Sequence, residues 1–421
     1  MAFKFQHSFL LFGLLSPGAM SQTKDLAIVG AHIETGDGKV FSTGVITIHN
    51  GKIASVSEST QVPDNTTVID GRGLFVYPGF IDGYSTSGLK LPDLPASGTA
   101  PDSRTTAPAS MWHGNRQGIR ADVVAAKCLD VADRQKENFS MGITTAVLCS
   151  GSGSIRGIGS VVDYTSKGAV LSANAVGEIS LRGGGGGRGY PGTLFGATAL
   201  ARQIIIDAKS YAANPPAKKD PGFENLKPLV TGQIPAYFSA ETARDLVRAR
   251  RFADEFGMKL IINGGREAYR ELGWIKDRKV PIVLSVDVPD APTKKMDTAP
   301  DATPQEVLDE RYAQWEETSK NPKVLSEAEV PMAFGLGGGF GDYLKGVRKI
   351  VAAGLPREAA LKAMTLGAAQ IFGVADVTGS IQPGKLANLV ILTGDFLDDK
   401  SVVKTVITEG TVVEVKKGGA K

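Results

Sequence analysis

Histidine and cysteine are nearly missing from this chain. Its 421 residues include four His and two Cys, so neither a disulfide framework nor an imidazole-rich metal centre has much raw material. An excess of one charge is lacking too. Lys and Arg number 47 against 44 acids, a formal net charge of +3, and the basic residues form no stripe, which argues against a nucleic-acid partner. No run approaches the ~20 apolar residues of a membrane-spanning helix, and no repeat of solenoid or propeller period exists. Apolar residues, at 42%, are plentiful enough for a large core. The length permits one large barrel with a satellite domain, or two to three ordinary domains.

Residues 1–21 place Lys4 ahead of the apolar run from Phe9 to Leu15, followed by Ser16-Pro17-Gly18 and small residues. This is the pattern of a secretory signal peptide, and it predicts an exported, periplasmic or extracellular protein. Export leaves Cys128 and Cys149 the option of pairing. Beyond residue 21 the chain alternates as short strands, with Asn50-Gly51 as a type I′ hairpin signal. The same texture returns around Leu389–Leu392 and Thr405–Thr408. Between these β-rich ends, helical spacing alternates with short apolar strands. Leu246, Ala249, Ala253 and Phe256 mark a helix stopped by Gly257; Lys259–Ile262, Val280–Leu284 and Val330–Phe334 read as buried parallel strands; Tyr343, Val347, Ile350 and Val351 mark another helix, ending at Gly354. This rhythm over roughly 300 residues predicts a closed (β/α)8 barrel, with an open doubly wound sheet as the competing closure. Residues 92–108 and 291–304 are Pro-rich surface excursions.

Two motifs bracket the chain. Val76-Tyr77-Pro78-Gly79-Phe80-Ile81-Asp82 follows Ile69-Asp70-Gly71, and Gly379-Ser380-Ile381-Gln382-Pro383-Gly384-Lys385-Leu386-Ala387-Asn388-Leu389-Val390 lies near the other end, after Leu355–Leu361 and Thr365–Ala369. On these motifs the chain resembles the amidohydrolase superfamily. Asn115–Ala121, Gly142–Thr145 and Tyr190–Gly192 are similar to segments of exported bacterial relatives. The resemblance implies an α/β fold: a TIM-like (β/α)8 barrel over residues 76–379, with a small composite β-sandwich from residues 22–75 and 380–421. It also implies an ancestral hydrolysis of carbon–nitrogen bonds other than ordinary peptide bonds, on one or two divalent metals at the barrel mouth. Such ions lower the pKa of bound water to about 7.

The ligand positions that the resemblance implies do not hold ligands. Tyr84 and Thr86 stand at the His-x-His, Ser239 or Glu241 and then Gly264 at the later histidines, Gly337 at the catalytic Asp, and Asp163 at the mid-barrel Lys. Independent of alignment, the four His are His7, His32, His49 and His113, none beyond residue 113. The remaining carboxylates near the expected mouth are Asp82, Asp163, Glu241, Glu267 and Asp287. Asp163 and Glu241 are the weak metal candidates, while Glu241 and Glu267 also suit helix starts and Asp82 suits capping of nearby backbone donors. Ser85, Ser239 and Cys149 lack a barrel His to activate them. The glycine run 183–189 formally contains GxGxxG without the context that gives it meaning; it reads as a flexible connection or lid flanked by Arg182 and Arg188.

The expectation is therefore an amidohydrolase-fold protein without its metal centre or other cofactor. It would act as a ligand-binding or partner subunit, beside an active paralogue or a second copy, with an unknown small molecule as ligand and no nucleic acid or transmembrane segment. One alternative is an active hydrolase of amide or cyclic amide substrates, using a carboxylate-bound divalent metal or a metal-free pocket at Tyr84, Thr86, Asp163, Ser239 and Glu241. The other is a structural, oligomer-forming module.

Overall fold

A computed structural model describes residues 25–59, 61–93, 118–165, 168–182, 192–295, 303–337 and 341–415. The signal-like segment with His7, the loop carrying His113, and the glycine run with Arg188 lie outside the described residues.

The β-rich ends assemble first. Strands β1 (Leu26–Glu34), β2 (Val40–His49), β3 (Lys52–Ser57), β4 (Thr67–Asp70) and β5 (Phe75–Pro78) come from the N-terminal part. The hairpin between β2 and β3 turns at Asn50 and Gly51, with φ of 49° and 75°, as the Asn-Gly pair demands. The eight barrel strands follow: β6 (Phe80–Ser85), β7 (Ile143–Leu148), β8 (Ile155–Asp163), β9 (Ala169–Ser180), β10 (Ala236–Ala240), β11 (Leu260–Gly264), β12 (Ile282–Ser285) and β13 (Met332–Gly335). The chain then returns through β14 (Leu389–Leu392), β15 (Val403–Thr408) and β16 (Thr411–Glu414). Sheet order β16-β15-β14-β5-β1-β2-β3, with β4 on β1, joins both termini into one second sheet. β1 pairs β4 through its first half and β5 through its second, so the sheet forks there around a shared apolar core that includes Ile28, Ile33, Ile46 and Ile391.

The barrel sheet runs in order from β6 to β13. Period-two alternation sorts its side chains. Tyr237, Ile261, Val283 and Ala333 point into the barrel, while Phe238, Ile262, Leu284 and Phe334 pack outward in the core shared with the helices. The helix Ala243–Phe256 buries Leu246, Ala249, Ala253 and Phe256 and stops at Gly257 with φ 65°, as its spacing predicts. Tyr343–Ala352 does the same with Val347 and Ile350.

One strand departs from a (β/α)8 pattern. β8 is antiparallel to both β7 and β9, whereas the other barrel pairs are parallel. Residues 149–154 and 164–168 are the only connections at its ends, too short for the dozen or more residues a parallel crossover requires. Reversal carries the start of β8 to the mouth and its end to the floor.

Between β6 and β13 side chains complete the closure. A Cβ on Gly83 would stand 2.9 Å from Phe334 O, and one on Gly335 2.9 Å from Tyr84 N, so only glycine lets the strands come this near. Asp82 Oδ1 accepts from Tyr84 N at 3.1 Å and from Leu336 N across the seam at 2.9 Å. Tyr237 and Tyr343 hydroxyls donate to Gly83 O and Ile81 O at 2.8 and 3.0 Å. At the floor, Asp163 accepts from Thr145 Oγ1 at 2.5 Å and Asn388 Nδ2 at 2.6 Å, tying the barrel to the second sheet.

Asp82 is fully buried, and its Oδ2 finds no hydrogen-bond partner among the described residues. Burial raises its pKa from 3.8 to about 7, against the pull of the Leu336 and Tyr84 N–H groups. A raised carboxyl pKa stabilises the fold fully below the unfolded value, and that stability is lost as pH rises through about 4 to 7. Asp82→Asn keeps the Oδ1 acceptor and removes the titration. Its stability relative to the parent should therefore grow between pH 4 and 7, by on the order of 4 kcal/mol over about three pH units. Urea unfolding across that range checks this, and a pH-independent difference would refute it.

Candidate functional site: the barrel mouth

The mouth is one layer up from the barrel core. Two residues beyond Tyr237, Ile261, Val283 and Ala333 on their strands come Ser239, Asn263, Ser285 and Gly335, which the alternation turns inward. With Tyr84, Arg156, Ser180 and Arg182 they line a cavity of about 250 Å³. A second chamber of about 330 Å³ shares Arg182, Glu241, Gly264, Leu284 and Ser285 with it, and continues outward over Val288, Pro289, Trp315 and Ile350.

A buried ion pair occupies the inner chamber's floor. Arg156, at the mouth end of the reversed β8, places Nη1 3.0 Å from Glu178 Oε1 of β9; their side chains are 13% and 1% exposed. The same Nη1 lies 3.3 Å from Ser239 Oγ and 3.4 Å from the Tyr84 hydroxyl, and Nε donates to Gly153 O at 2.9 Å. Glu178 is further satisfied by the Tyr84 hydroxyl at 2.8 Å and Gly151 N at 3.2 Å. Burial alone would lower the Arg156 pKa, but Glu178 outweighs it and holds the guanidinium above its usual value. Burial, then Glu178, push the Tyr84 phenol well up. The site is a guanidinium–carboxylate pair beside a phenol that keeps its proton.

The sequence candidates separate. Tyr84, Ser239, Glu241, Gly264 and Gly337 meet at the mouth. Thr86 lies beyond β6, with its methyl group 2.6 Å from where a Cβ on Gly151 would stand, and does not line the cavity. Asp163 needs correcting as a mouth residue: the antiparallel register pairs it with Thr145 and with Ala169 at the start of β9, so it sits on the floor. There burial raises its pKa to about 7 against the Thr145 and Asn388 hydrogen bonds. Glu267 caps the helix Ala243–Phe256 by accepting from Ala243 N at 2.9 Å, and Asp287 is exposed on the outer rim. His32 is beside Glu34 and His49 beside Asp25, both in the second sheet. Cys128 and Cys149 are free thiols.

Glu241 is the mouth's unpaired acid. No Lys or Arg side chain among the described residues lies within ion-pair distance of it, burial raises its pKa, and the Arg266 N–H opposes that rise. A Cβ on Gly264 would stand 2.5 Å from Glu241 Oε1. Gly264, where the resemblance implies a histidine, thus leaves the space this carboxylate fills.

A divalent metal does not fit this donor set. Among the described residues no group of three or more His, Cys, Asp or Glu converges. Tyr84 and Ser239, at two positions where the resemblance implies metal ligands, instead face the Arg156 cation, whose charge disfavours a metal ion there. Arg156, Glu178 and Asn263 were not singled out in the sequence. A lone Arg in the apolar run Ile155–Asp163 and a lone Glu in Ala169–Ser180 were the available signals, since an isolated charge inside a buried strand requires a partner.

Comparison with known proteins agrees with the geometry. The amidohydrolase family profile matches residues 316–413. The fold is similar to that of an amidohydrolase from Thermotoga maritima MSB8, with TM-score 0.72 and 23% identity over 92% of this chain and 99% of that one. Residues 316–413 thus match the amidohydrolase family, and the fold as a whole is similar to that of amidohydrolases. Other superfamily-like structures include a prolidase solved with N-methylphosphonate-L-proline (TM-score 0.56, 18% identity, covering 93% of this chain and 99% of that one). A segment of 69 residues is 38% identical to a 5′-deoxyadenosine deaminase of Methanococcoides burtonii, spanning 16% of either protein. Among the described residues no helix is long and apolar enough to cross a membrane.

A double-mutant cycle tests the ion pair. Arg156→Met or Glu178→Ala alone should each cost about 3–5 kcal/mol, because the surviving partner is left charged and buried. The double variant should cost less than the sum by about 2 kcal/mol. Additive losses in denaturant unfolding would show that the two charges do not depend on one another.

Proposed function

We propose that this amidohydrolase-fold protein is a metal-independent binding protein whose barrel mouth receives a small molecule, either alone or as the partner of an active relative. The supporting observation is the Arg156 guanidinium, hydrogen-bonded to Ser239 and Tyr84, side chains that stand where the resemblance implies metal ligands. A cavity with fixed polar donors on its floor and apolar residues at its outer end is the usual form of a small-molecule site. The pattern over residues 1–21 supports export, so the ligand would be met outside the cytoplasm.

Glu241 supports a second reading. A half-buried carboxyl without an ion-pair partner, its pKa raised by burial, is suited to general acid or base work. On that reading the chain hydrolyses carbon–nitrogen bonds of amides or cyclic amides without a metal. A turnover screen of N-acyl amino acids, dipeptides, hydantoins and lactams separates the two. Activity abolished by Glu241→Gln favours the hydrolase, whereas turnover unaffected by it counts against that reading.

The binding reading predicts that protein purified without chelators or added metal carries well under one transition ion per chain, and that its thermal midpoint is unchanged by EDTA. Equimolar, tightly held zinc, manganese or iron, measured by elemental mass spectrometry, would overturn it.

A further inference from the structure

The two chambers together describe a ligand, and the inference below rests on the binding reading above. Arg156 has five N–H donors. Nε is used on Gly153 O, and Nη1 faces Glu178, Tyr84 and Ser239. Nη2 donates to no acceptor among the described residues, and Arg156 lines the inner chamber. Two charged donors of a largely buried guanidinium therefore lack a protein partner, and such donors need an acceptor from a ligand or water. Glu178 already engages Nη1, so what Nη2 can take is an oxygen acceptor, and a carboxylate makes the stronger, charge-assisted contact.

Glu241 borders both chambers without an ion pair among the described residues, and cationic side chains share the space: Arg182 borders both chambers and Arg266 the outer one. Beyond Glu241 the outer chamber is lined by Arg266, Asp287, Thr318 and Asn321 together with the apolar Val288, Pro289, Trp315 and Ile350. Trp315 is held there by its Nε1 donating to Pro289 O at 3.0 Å, so its indole offers a set contact surface.

We propose that the mouth binds monocarboxylates with a compact apolar body, the carboxylate on Arg156 Nη2 in the inner chamber and the body against Val288, Pro289 and Trp315 in the outer one. Neutral amides of the same shape lose the charge-assisted contact, and inorganic phosphate lacks the apolar body.

Calorimetric titration of the full protein with 4-methylpentanoate and with 4-methylpentanamide tests this. The acid should bind at least about tenfold tighter than the amide, a difference of about 1.4 kcal/mol, as charge-assisted hydrogen bonds are stronger than neutral ones. Acetate, which lacks the body, should bind more weakly than 4-methylpentanoate, and millimolar phosphate should not displace it. Trp315→Ala, a change at a half-buried position that leaves the barrel core alone, should weaken 4-methylpentanoate about fivefold or more by removing aromatic contact area. Arg156→Lys, which keeps the charge but lacks Nη2, should abolish the preference for acid over amide. Equal affinity for acid and amide, or no binding of the acid at millimolar concentration, overturns the inference. A tightly held equimolar metal instead overturns the binding reading on which it rests, so the two failures are distinct.

Discussion

A guanidinium enclosed by a barrel is tolerated only if a carboxylate is enclosed with it, and the mouth of this protein is arranged around that requirement. Arg156 and Glu178 are 3.0 Å apart, and neither has enough exposure for water to take the partner's place. Removing two charges from water costs several kcal/mol for each ion, recovered only when the geometry is good and the remaining donors and acceptors are satisfied. Tyr84, Gly151, Gly153 and Ser239 supply that satisfaction for Glu178 and for Arg156 Nε and Nη1, leaving Nη2 open toward the inner chamber. The pair therefore fixes the tyrosine, the turn at residues 151–153 and one wall of the pocket at once. Such a group specifies a conformation more than it adds stability.

The pair exists because β8 runs backwards. In an all-parallel barrel the first residues of a strand sit on the floor, and Arg156 would lie at the far end from Ser239. Short connections at both ends of β8 force the reversal, which brings Arg156 up to Glu178 and sends Asp163 down to Thr145 and Asn388. The same inversion thus makes two buried polar clusters, one organising the pocket and one fastening the barrel to the second sheet. The β6–β13 seam is a third. There Gly83 and Gly335 admit close approach while the Asp82 carboxylate bridges the strands.

Much of the scaffold was legible in the sequence because it rests on periodicity and turn chemistry. Asn50-Gly51, the helix ended by Gly257, and the apolar strands β11 to β13 follow from local rules, and the motifs at Asp82 and Asn388 carried the fold. The reversal of β8 was legible too, in the five residues between Asp163 and Ala169, but the rhythm of the later strands argued for parallel pairing throughout. Its oversight put Asp163 at the wrong end. Arg156 and Glu178 meet from strands whose pairing had to be known first, so no spacing rule joins them. Histidine scarcity was readable from a count; what replaced imidazole was not.

The replacement changes what the mouth can do. A divalent ion with an open coordination position acidifies water and polarises a carbonyl. A guanidinium has no vacant orbital and holds its proton throughout the physiological range, so it cannot make hydroxide from water; it can aim N–H donors at an anion. The barrel here presents such donors at the depth of its inner layer, with Gly264 giving its volume to Glu241 and Gly337 offering no side chain. On the binding reading proposed above, a mouth of this composition exchanges bond-breaking by a metal for recognition by fixed charge. On the hydrolase reading the chemistry falls to Glu241, which has no ion-pair partner within contact among the described residues and feels the Arg266 and Arg182 charges from farther off. The superfamily fold fits both outcomes, since it fixes where the strand ends converge and leaves the choice of chemistry to the side chains placed on them.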